Sequence, residues 1–178
     1  MEIEMKRTVR DSETGTPFRS LVLAIQTRIS SFGPYVSNGT SQFGDMARVA
    51  DMTPLQAHDV VTRGLPVALA REMIDEYGVV SREALLLAIG VSERTLQRGK
   101  DESRLLDSNA TDRLLRLACI TEQAIDVLGS KEAAERWLSQ PAIGLDQRRP
   151  VELLQSSEGA ELVKTLLARM DYGLGRAH

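Results

Sequence analysis

The sequence predicts an all-α fold in which a helix-turn-helix domain is followed by a small helical domain. No segment of the 178 residues shows sustained period-two alternation, and no Asn-Gly or Asp-Gly lies between two strand-like runs. Aromatic residues make up only 4% of the chain, so its core must consist mostly of Leu, Ile, Val and Ala, as in helix bundles. Helix start and stop signals recur at short intervals from Thr53 onward.

The composition limits the classes of function. The chain carries 22 basic and 25 acidic residues, a net charge of -3, whereas a protein that coats nucleic acid without selectivity is expected to be basic. Any contact with DNA must therefore be local and need two copies or a partner. Cys119 stands alone, which excludes an internal disulfide and favours a reducing compartment. With no apolar run of membrane-spanning length and no apolar signal core, we expect a cytoplasmic protein without a membrane partner.

Residues 1–52 are predicted to be an accessory N-terminal region. A polar arm over residues 1–16 precedes a helix with Thr16 as N-cap and Pro17 at its first position. A loop rich in Gly, Pro, Asn and Ser follows over residues 30–44. One stripe of the helix is apolar: Leu21, Ile25 and Ile29. No chemistry is predicted for this region.

Residues 53–106 are predicted to form the helix-turn-helix domain. Thr53 and Gln56 have the spacing of a capping box, and Gly64 is placed to end that helix. Further helices are predicted from Pro66 to Gly78 and from Ser81 to Gly90, with another beginning at Ser92.

The stretch SREALLLAIGVSERTLQR, residues 81–98, is the predicted DNA-binding unit. Gly90 supplies the turn because it adopts positive φ without steric cost, Ser92 caps the second helix, and Leu96 anchors it. Glu93 and the polar residues that follow are left free on the outer side, where Arg and Gln pair bidentately with guanine and adenine edges. The predicted DNA-binding residues are Ser92, Arg94, Thr95, Gln97, Arg98 and Lys100.

An alternative interpretation of the same stretch is an ordinary helix pair with solvated arginines. Leu86 occupies a position where helix-turn-helix units usually keep a small residue, which favours a wider angle between the helices. Glu93, Asp101 and Glu102 also dilute the positive charge of the surface. Both interpretations stay open at this point.

Residues 107–178 are predicted to form the second domain. A long helix over 110–129 has one apolar face, a shorter helix is capped by Ser130, and another begins at Pro150. The last helix ends at Gly173, before a five-residue tail. Three apolar residues of this last helix fall on one side: Leu162, Leu166 and Met170.

The region from about residue 55 to 174 closely resembles the Xre/MbcA/ParS-type antitoxins, whose toxin-binding domain follows a helix-turn-helix. The resemblance is carried by RLLRLA at residues 113–118, Trp137-Leu138 before Pro141, Pro150 with Leu153-Leu154, Gly159, Val163, and RMDYG at residues 169–173. The sequence departs from the family at Asp146-Gln147, where Gly-Gly is usual, so a differently shaped loop is expected there.

The resemblance implies a type II antitoxin that binds a cognate RES-domain toxin, an enzyme class that attacks NAD. It also implies repression of its own operon through operator DNA, as a homodimer or within a toxin–antitoxin hetero-oligomer. Because the family's C-terminal end lies near the toxin's active-site cleft, the implied toxin-binding residues are Arg169, Tyr172, Gly173, Leu174, Arg176 and His178.

Alternatives remain for the tail and for the whole protein. The tail of residues 174–178 either plugs the cleft, with the terminal carboxylate as an anion mimic, or frays in solvent. The chain is either an antitoxin or a stand-alone transcription regulator whose C-terminal domain only dimerises it. No catalytic residue, metal site or cofactor is predicted, since His58, His178 and Cys119 do not suffice for zinc. Trp137 and Cys119 are expected to pack, and Arg116 to pair with Asp112.

Overall fold

Nine α-helices and two 3₁₀ turns make up the described part of the chain, residues 18–30, 48–98 and 104–175 of a computed structural model. These residues form no β-strand, only two isolated bridges, which confirms the predicted all-α class. The elements are α1 Arg19–Ser30, η1 Val49–Asp51, α2 Pro54–Arg63, α3 Val67–Asp75, α4 Arg82–Ile89, α5 Glu93–Arg98, α6 Ser108–Leu128, α7 Lys131–Ser139, η2 Ile143–Leu145, α8 Pro150–Leu153 and α9 Ser157–Gly175.

The caps predicted at Thr53, Gly64 and Ser130 are confirmed. The backbone N–H of Gln56 donates to Thr53 Oγ1 over 3.3 Å, and Gln56 Oε1 accepts from the Thr53 N–H over 2.8 Å, which completes the capping box of α2. Ser130 Oγ accepts from the Ala133 N–H over 3.1 Å at the start of α7. Gly64 follows the last residue of α2 with a φ of 75°.

The long helix α6 lies at the centre of the fold. It packs against α2 and α4 of the helix-turn-helix half and against α7 and α9 of the C-terminal half. The apolar face predicted for it is confirmed at its centre, where Leu114, Leu117 and Ala118 are fully buried. Because one helix contributes to both sides, the helix-turn-helix half and the C-terminal half share a single hydrophobic core.

The N-terminal helix α1 also belongs to this core. Phe18, Leu21 and Ile25 are buried, and α1 packs against α2 and α3. The ring of Phe18 stacks on Tyr77 with centroids 5.5 Å apart, and the Phe18 N–H donates to the Glu76 carboxylate over 3.0 Å. The predicted cap at residues 16–17 and most of the predicted loop lie outside the described residues, as does the side chain of Ile29.

The end of α9 corrects the prediction from sequence. The helix does not stop at Gly173 but runs through Gly175, so Gly173 and Leu174 are helical. Glycine lowers helix propensity by about 1 kcal/mol, which is not enough to end a helix that its neighbours support. On α9, Val163 and Leu167 are fully buried, Leu166 is partly buried against the core, and Leu162 is exposed.

The loop between α7 and α8 contains the departure from the family pattern. Asp146 and Gln147 both adopt the left-handed region, with φ values of 55° and 59°. The turn closes when the Ala142 N–H donates to the Arg148 carbonyl over 3.1 Å. These residues therefore take the backbone conformation for which glycine is suited, although neither of them is glycine.

Gln147→Gly is expected to stabilise the protein by about 0.5 to 1 kcal/mol. The left-handed conformation costs an L-residue about 1 to 2 kcal/mol, and the extra entropy of unfolded glycine cancels about half of that gain. Urea unfolding measures the difference. Gln140→Gly is the matched control, because Gln140 has a φ of -105° and gains no relief from strain. A lower unfolding midpoint for Gln147→Gly would contradict this explanation of the loop.

Candidate functional site

The turn between α4 and α5 has the geometry of a helix-turn-helix. Gly90 lies in the left-handed region with φ 76° and ψ 32°, as predicted. Ser92 Oγ accepts from the Thr95 N–H over 3.1 Å and caps α5, and Leu96 is fully buried beneath it. The roles predicted from sequence for Gly90, Ser92 and Leu96 in this turn are confirmed.

The structure brings part of the predicted DNA-binding set together on the outer side of α5. Arg94, Gln97 and Arg98 are exposed, while Thr95 is half-buried and shares a 2.9 Å hydrogen bond with Ser92 Oγ. Lys100 lies outside the described residues. The surface thus presents two guanidinium groups and one amide, the groups that bind guanine and adenine edges.

Glu93 is not free on this surface, which corrects the prediction. Arg82 Nε donates to Glu93 Oε2 over 2.9 Å, and Arg82 Nη1 also binds Asp75 Oδ1 over 2.6 Å. The hydrogen bond from Arg82 lowers the pKa of Glu93 below its usual value. Because Arg82 neutralises it, Glu93 dilutes the positive charge of α5 less than the sequence suggests.

Two side chains from other helices hold the helix-turn-helix in place. Arg71 of α3 donates to the Leu96 carbonyl near the end of α5. Glu135 of α7 is buried and its Oε2 accepts from the backbone N–H groups of residues 78–80, at distances of 2.8, 2.6 and 3.4 Å. This segment leads directly into α4, so the C-terminal half fixes where α4 begins.

A second buried carboxylate, Glu122 of α6, holds η1. It accepts from the Val49 N–H over 3.1 Å and from the Ala50 N–H over 2.9 Å, and Arg48 lies 3.9 Å away. Burial raises the pKa of Glu122, and the two N–H groups act in the opposite direction. Glu122 and Glu135 were not predicted from sequence, because a carboxylate within an amphipathic helix gives no signal that distant backbone groups surround it.

The exposed surface of α9 and η2 carries an apolar patch, which we call the C-terminal patch. Ile143 is 87% exposed, Tyr172 is 76% exposed and Leu162 is 58% exposed. A Cβ atom on Gly144 would lie 2.7 Å from Leu166 Cδ1, so η2 is pressed directly against α9. Exposed large apolar residues in one region are typical of a protein interaction site. The patch consists of Ile143, Leu162, Leu166, Arg169 and Tyr172.

The predicted toxin-binding residues fall on or next to this patch where they are described. Arg169, Tyr172 and Gly173 are exposed on α9. Arg176, His178 and the side chain of Leu174 lie outside the described residues. Ile143 was missed, although an isoleucine in a Gly-containing turn with no apolar neighbour at helical spacing was a usable signal.

The remaining residues that the sequence singled out have structural roles. Arg116 pairs with Asp112 as expected and also donates to the Leu154 carbonyl over 3.3 Å, which ties α6 to the segment before α9. Trp137 is half-buried against the core. Cys119 lines a groove of about 230 Å³, and burial raises the pKa of its thiol to about 11, so it stays protonated at neutral pH.

The fold and these surfaces define an all-α helix-turn-helix protein with a C-terminal helical binding domain. None of the helices in the described ranges combines the length and apolarity needed to cross a bilayer. A family model for the antitoxin Xre-like helix-turn-helix domain matches residues 56–118, and one for the antitoxin Xre/MbcA/ParS C-terminal toxin-binding domain matches residues 123–173. The chain belongs to the Xre/MbcA/ParS-type antitoxins.

Three curated relatives carry the name antitoxin Xre. The chain is 26% identical over 125 residues to that of Yersinia enterocolitica, covering 68% of this chain and 84% of the relative. It is 24% identical over 116 residues to that of Photorhabdus laumondii, covering 65% and 78%. It is 33% identical over 82 residues to that of Pseudomonas putida, covering 46% and 52%. The chain is therefore a type II antitoxin with a helix-turn-helix and a toxin-binding domain.

Proposed function

We propose that this antitoxin neutralises a RES-domain toxin that degrades NAD, by covering the toxin's active site with the C-terminal patch. The observation that carries the proposal is the exposure of Ile143, Leu162 and Tyr172 within the matched toxin-binding domain. Large side chains that gain burial only in a complex are typical of interface centres. The class of toxin is inferred from the resemblance to the antitoxin family, and the toxin-binding surface is inferred from the C-terminal patch.

The end of α9 is the part of the patch that we place closest to the toxin's active site. Arg169 and Tyr172 point outward from the helix, next to Gly173, where an added Cβ atom would meet nothing within 4 Å. Leu174, Arg176 and His178 continue the chain from there. An exposed helix segment of this kind fits a cleft with little rearrangement of its backbone.

Co-expression with the product of the neighbouring reading frame tests the antitoxin function. We expect that product alone to stop growth and lower cellular NAD, and the two chains together to restore growth and purify as one complex. If cells tolerate the product alone and no complex forms, the chain is instead a stand-alone regulator whose C-terminal domain serves dimerisation.

We also propose that the antitoxin represses its own operon through α5, as a homodimer or within a hetero-oligomer with the toxin. A net charge of -3 makes general attraction to DNA weak. One α5 presents only Arg94 and Arg98 as exposed cations within the described residues, so two copies on one operator provide the missing contacts.

Arg94→Ala and Arg98→Ala are expected to weaken operator binding while toxin neutralisation stays intact. A bidentate contact to a base is worth about 1 to 3 kcal/mol, so each variant should lose about 5- to 150-fold in affinity for its own promoter. Fluorescence anisotropy with a promoter duplex measures the loss. Arg149→Ala is the matched control, because Arg149 is exposed on the C-terminal half and pairs with Glu152. If both α5 variants bind the promoter normally, α5 does not read DNA and the helix-turn-helix has only a structural role.

A further inference from the structure

Arg113 belongs to α6 but lies against the turn of the helix-turn-helix. A Cβ atom on Gly90 would be 2.6 Å from Arg113 Nη1 and 3.5 Å from its Cζ. Gly90 is exposed and precedes the N-cap of α5 by two residues. The guanidinium group of Arg113 is therefore placed beside the start of the helix proposed to read DNA.

Arg113 also lacks an acceptor. Its Nε is buried without a hydrogen-bond partner, and within the described residues its guanidinium makes no ion pair. Other half-buried arginines have one: Arg71 binds the Leu96 carbonyl, Arg116 binds Asp112, and Arg48 binds Asp126 over 2.7 Å. A half-buried guanidinium is unfavourable without an acceptor, and none of the described residues provides one for Arg113, so an anion outside the described residues is a candidate partner.

The C-terminal end of α4 offers a different partner for this charge. Gly90 caps α4, and a cation near a helix C-terminus interacts favourably with the helix dipole. That interaction provides no hydrogen-bond acceptor for the terminal nitrogens of Arg113, whereas a phosphate group can accept from both of them through two parallel hydrogen bonds. The dipole interaction and the phosphate contact differ in their dependence on salt.

We infer that Arg113 binds a backbone phosphate of the operator DNA next to the recognition helix. The inference rests on the proposed DNA binding by α5. The first turn of a recognition helix faces the base edges, so a guanidinium beside the preceding turn is within reach of the backbone that flanks the groove. Phosphate contacts fix the register of a protein on DNA. If Arg94 and Arg98 of α5 bind bases, these contacts must come from another residue. Thus α6, which packs on both halves, supplies a DNA contact.

The salt dependence of promoter binding tests this contact. Fluorescence anisotropy of the full chain between about 50 and 200 mM KCl gives the slope of log K against log salt concentration. For Arg113→Gln we expect that slope to fall by about 0.9 per protomer, because one phosphate contact is lost. Arg113→Lys should keep the wild-type slope because it keeps the charge. Arg136→Gln is the matched control, since Arg136 pairs with Glu132 on the exposed side of α7.

The outcomes separate the inference from the proposed function. A reduced slope for Arg113→Gln, with wild-type slopes for Arg113→Lys and Arg136→Gln, supports the phosphate contact. If the slope is unchanged while binding is weaker and the melting temperature is lower, Arg113 only stabilises the C-terminal end of α4. That result overturns the phosphate contact but not the proposed DNA binding by α5. No promoter binding by the wild-type chain overturns the proposed DNA binding together with the inference. A partly unfolded variant does not alter this test, because the slope does not depend on the fraction of active protein.

Discussion

Glu135→Ala is expected to lower the free energy of unfolding by about 3 kcal/mol. The carboxylate of Glu135 is only 2% exposed and is the acceptor for three consecutive backbone N–H groups, those of Gly78, Val79 and Val80. Alanine leaves these donors without an acceptor, and an unpaired donor costs about 1 to 3 kcal/mol where it is buried, as at Val80. Urea unfolding measures the loss, which should lower the melting temperature by roughly 6 to 12 °C in a chain of this size.

Two control variants show whether the hydrogen bonds cause the effect. All three N–H groups donate to the same oxygen, Oε2, so Glu135→Gln keeps a carbonyl acceptor in place and should cost no more than about 1 kcal/mol. Glu132→Ala removes a carboxylate from the exposed side of the same helix and should change stability by less than about 0.5 kcal/mol. Equal stability of Glu135→Ala and wild type would show that residues 78–80 find other acceptors.

Glu135 links the helix-turn-helix to the C-terminal half of the chain. The loop held by Glu135 leads into α4, and α6 also packs against α4. The segment 53–106, predicted from sequence as the helix-turn-helix domain, ends before both of these supports. The position of the helix-turn-helix therefore depends on Glu135 of α7 and on α6, as well as on Arg71 of α3.

Leu162→Asp and Ile143→Asp are each expected to weaken toxin binding by about 30- to 1,000-fold, without loss of stability. A central interface residue contributes about 2 to 4 kcal/mol when it is removed, and a carboxylate adds the cost of burying an unpaired charge. Both residues are mostly exposed in the free chain, so the substitutions remove no core contact. Isothermal titration calorimetry with the purified toxin measures the affinity, and thermal unfolding checks that stability is kept.

Leu55→Asp is the matched control for the C-terminal patch. Leu55 lies on α2, in the other half of the chain, and is 51% exposed, close to the exposure of Leu162. It should bind the toxin with wild-type affinity. If Leu55→Asp weakens binding while both patch variants bind normally, the toxin contacts the helix-turn-helix half and the assignment of the patch is wrong.

The N-caps of several helices and the class of fold could be predicted from sequence because they depend on local chemistry. Thr53, Ser92 and Ser130 each cap a helix through a hydrogen bond that spans three residues. The buried face of α6 follows from the spacing of its apolar residues. These features need no knowledge of the rest of the chain.

The remaining features depend on contacts between distant segments, which a single sequence does not encode in an obvious way. Glu122 and Glu135 accept from backbone groups 55 to 73 residues away. Gln147 adopts a left-handed conformation that its residue type disfavours, because the Ala142–Arg148 pairing closes the turn. Leu162 was placed on an apolar side of α9, but whether that side is buried or exposed depends on how α9 packs.

The rate of NAD hydrolysis by the purified toxin, measured as the chain is added, tests the central claim most directly. We expect hydrolysis to fall to zero at a stoichiometric ratio of the two chains, and the Leu162→Asp chain to inhibit only at far higher concentration. If the toxin binds the wild-type chain and continues to hydrolyse NAD, or if the Leu162→Asp chain inhibits as strongly as wild type, the C-terminal patch does not cover the active site.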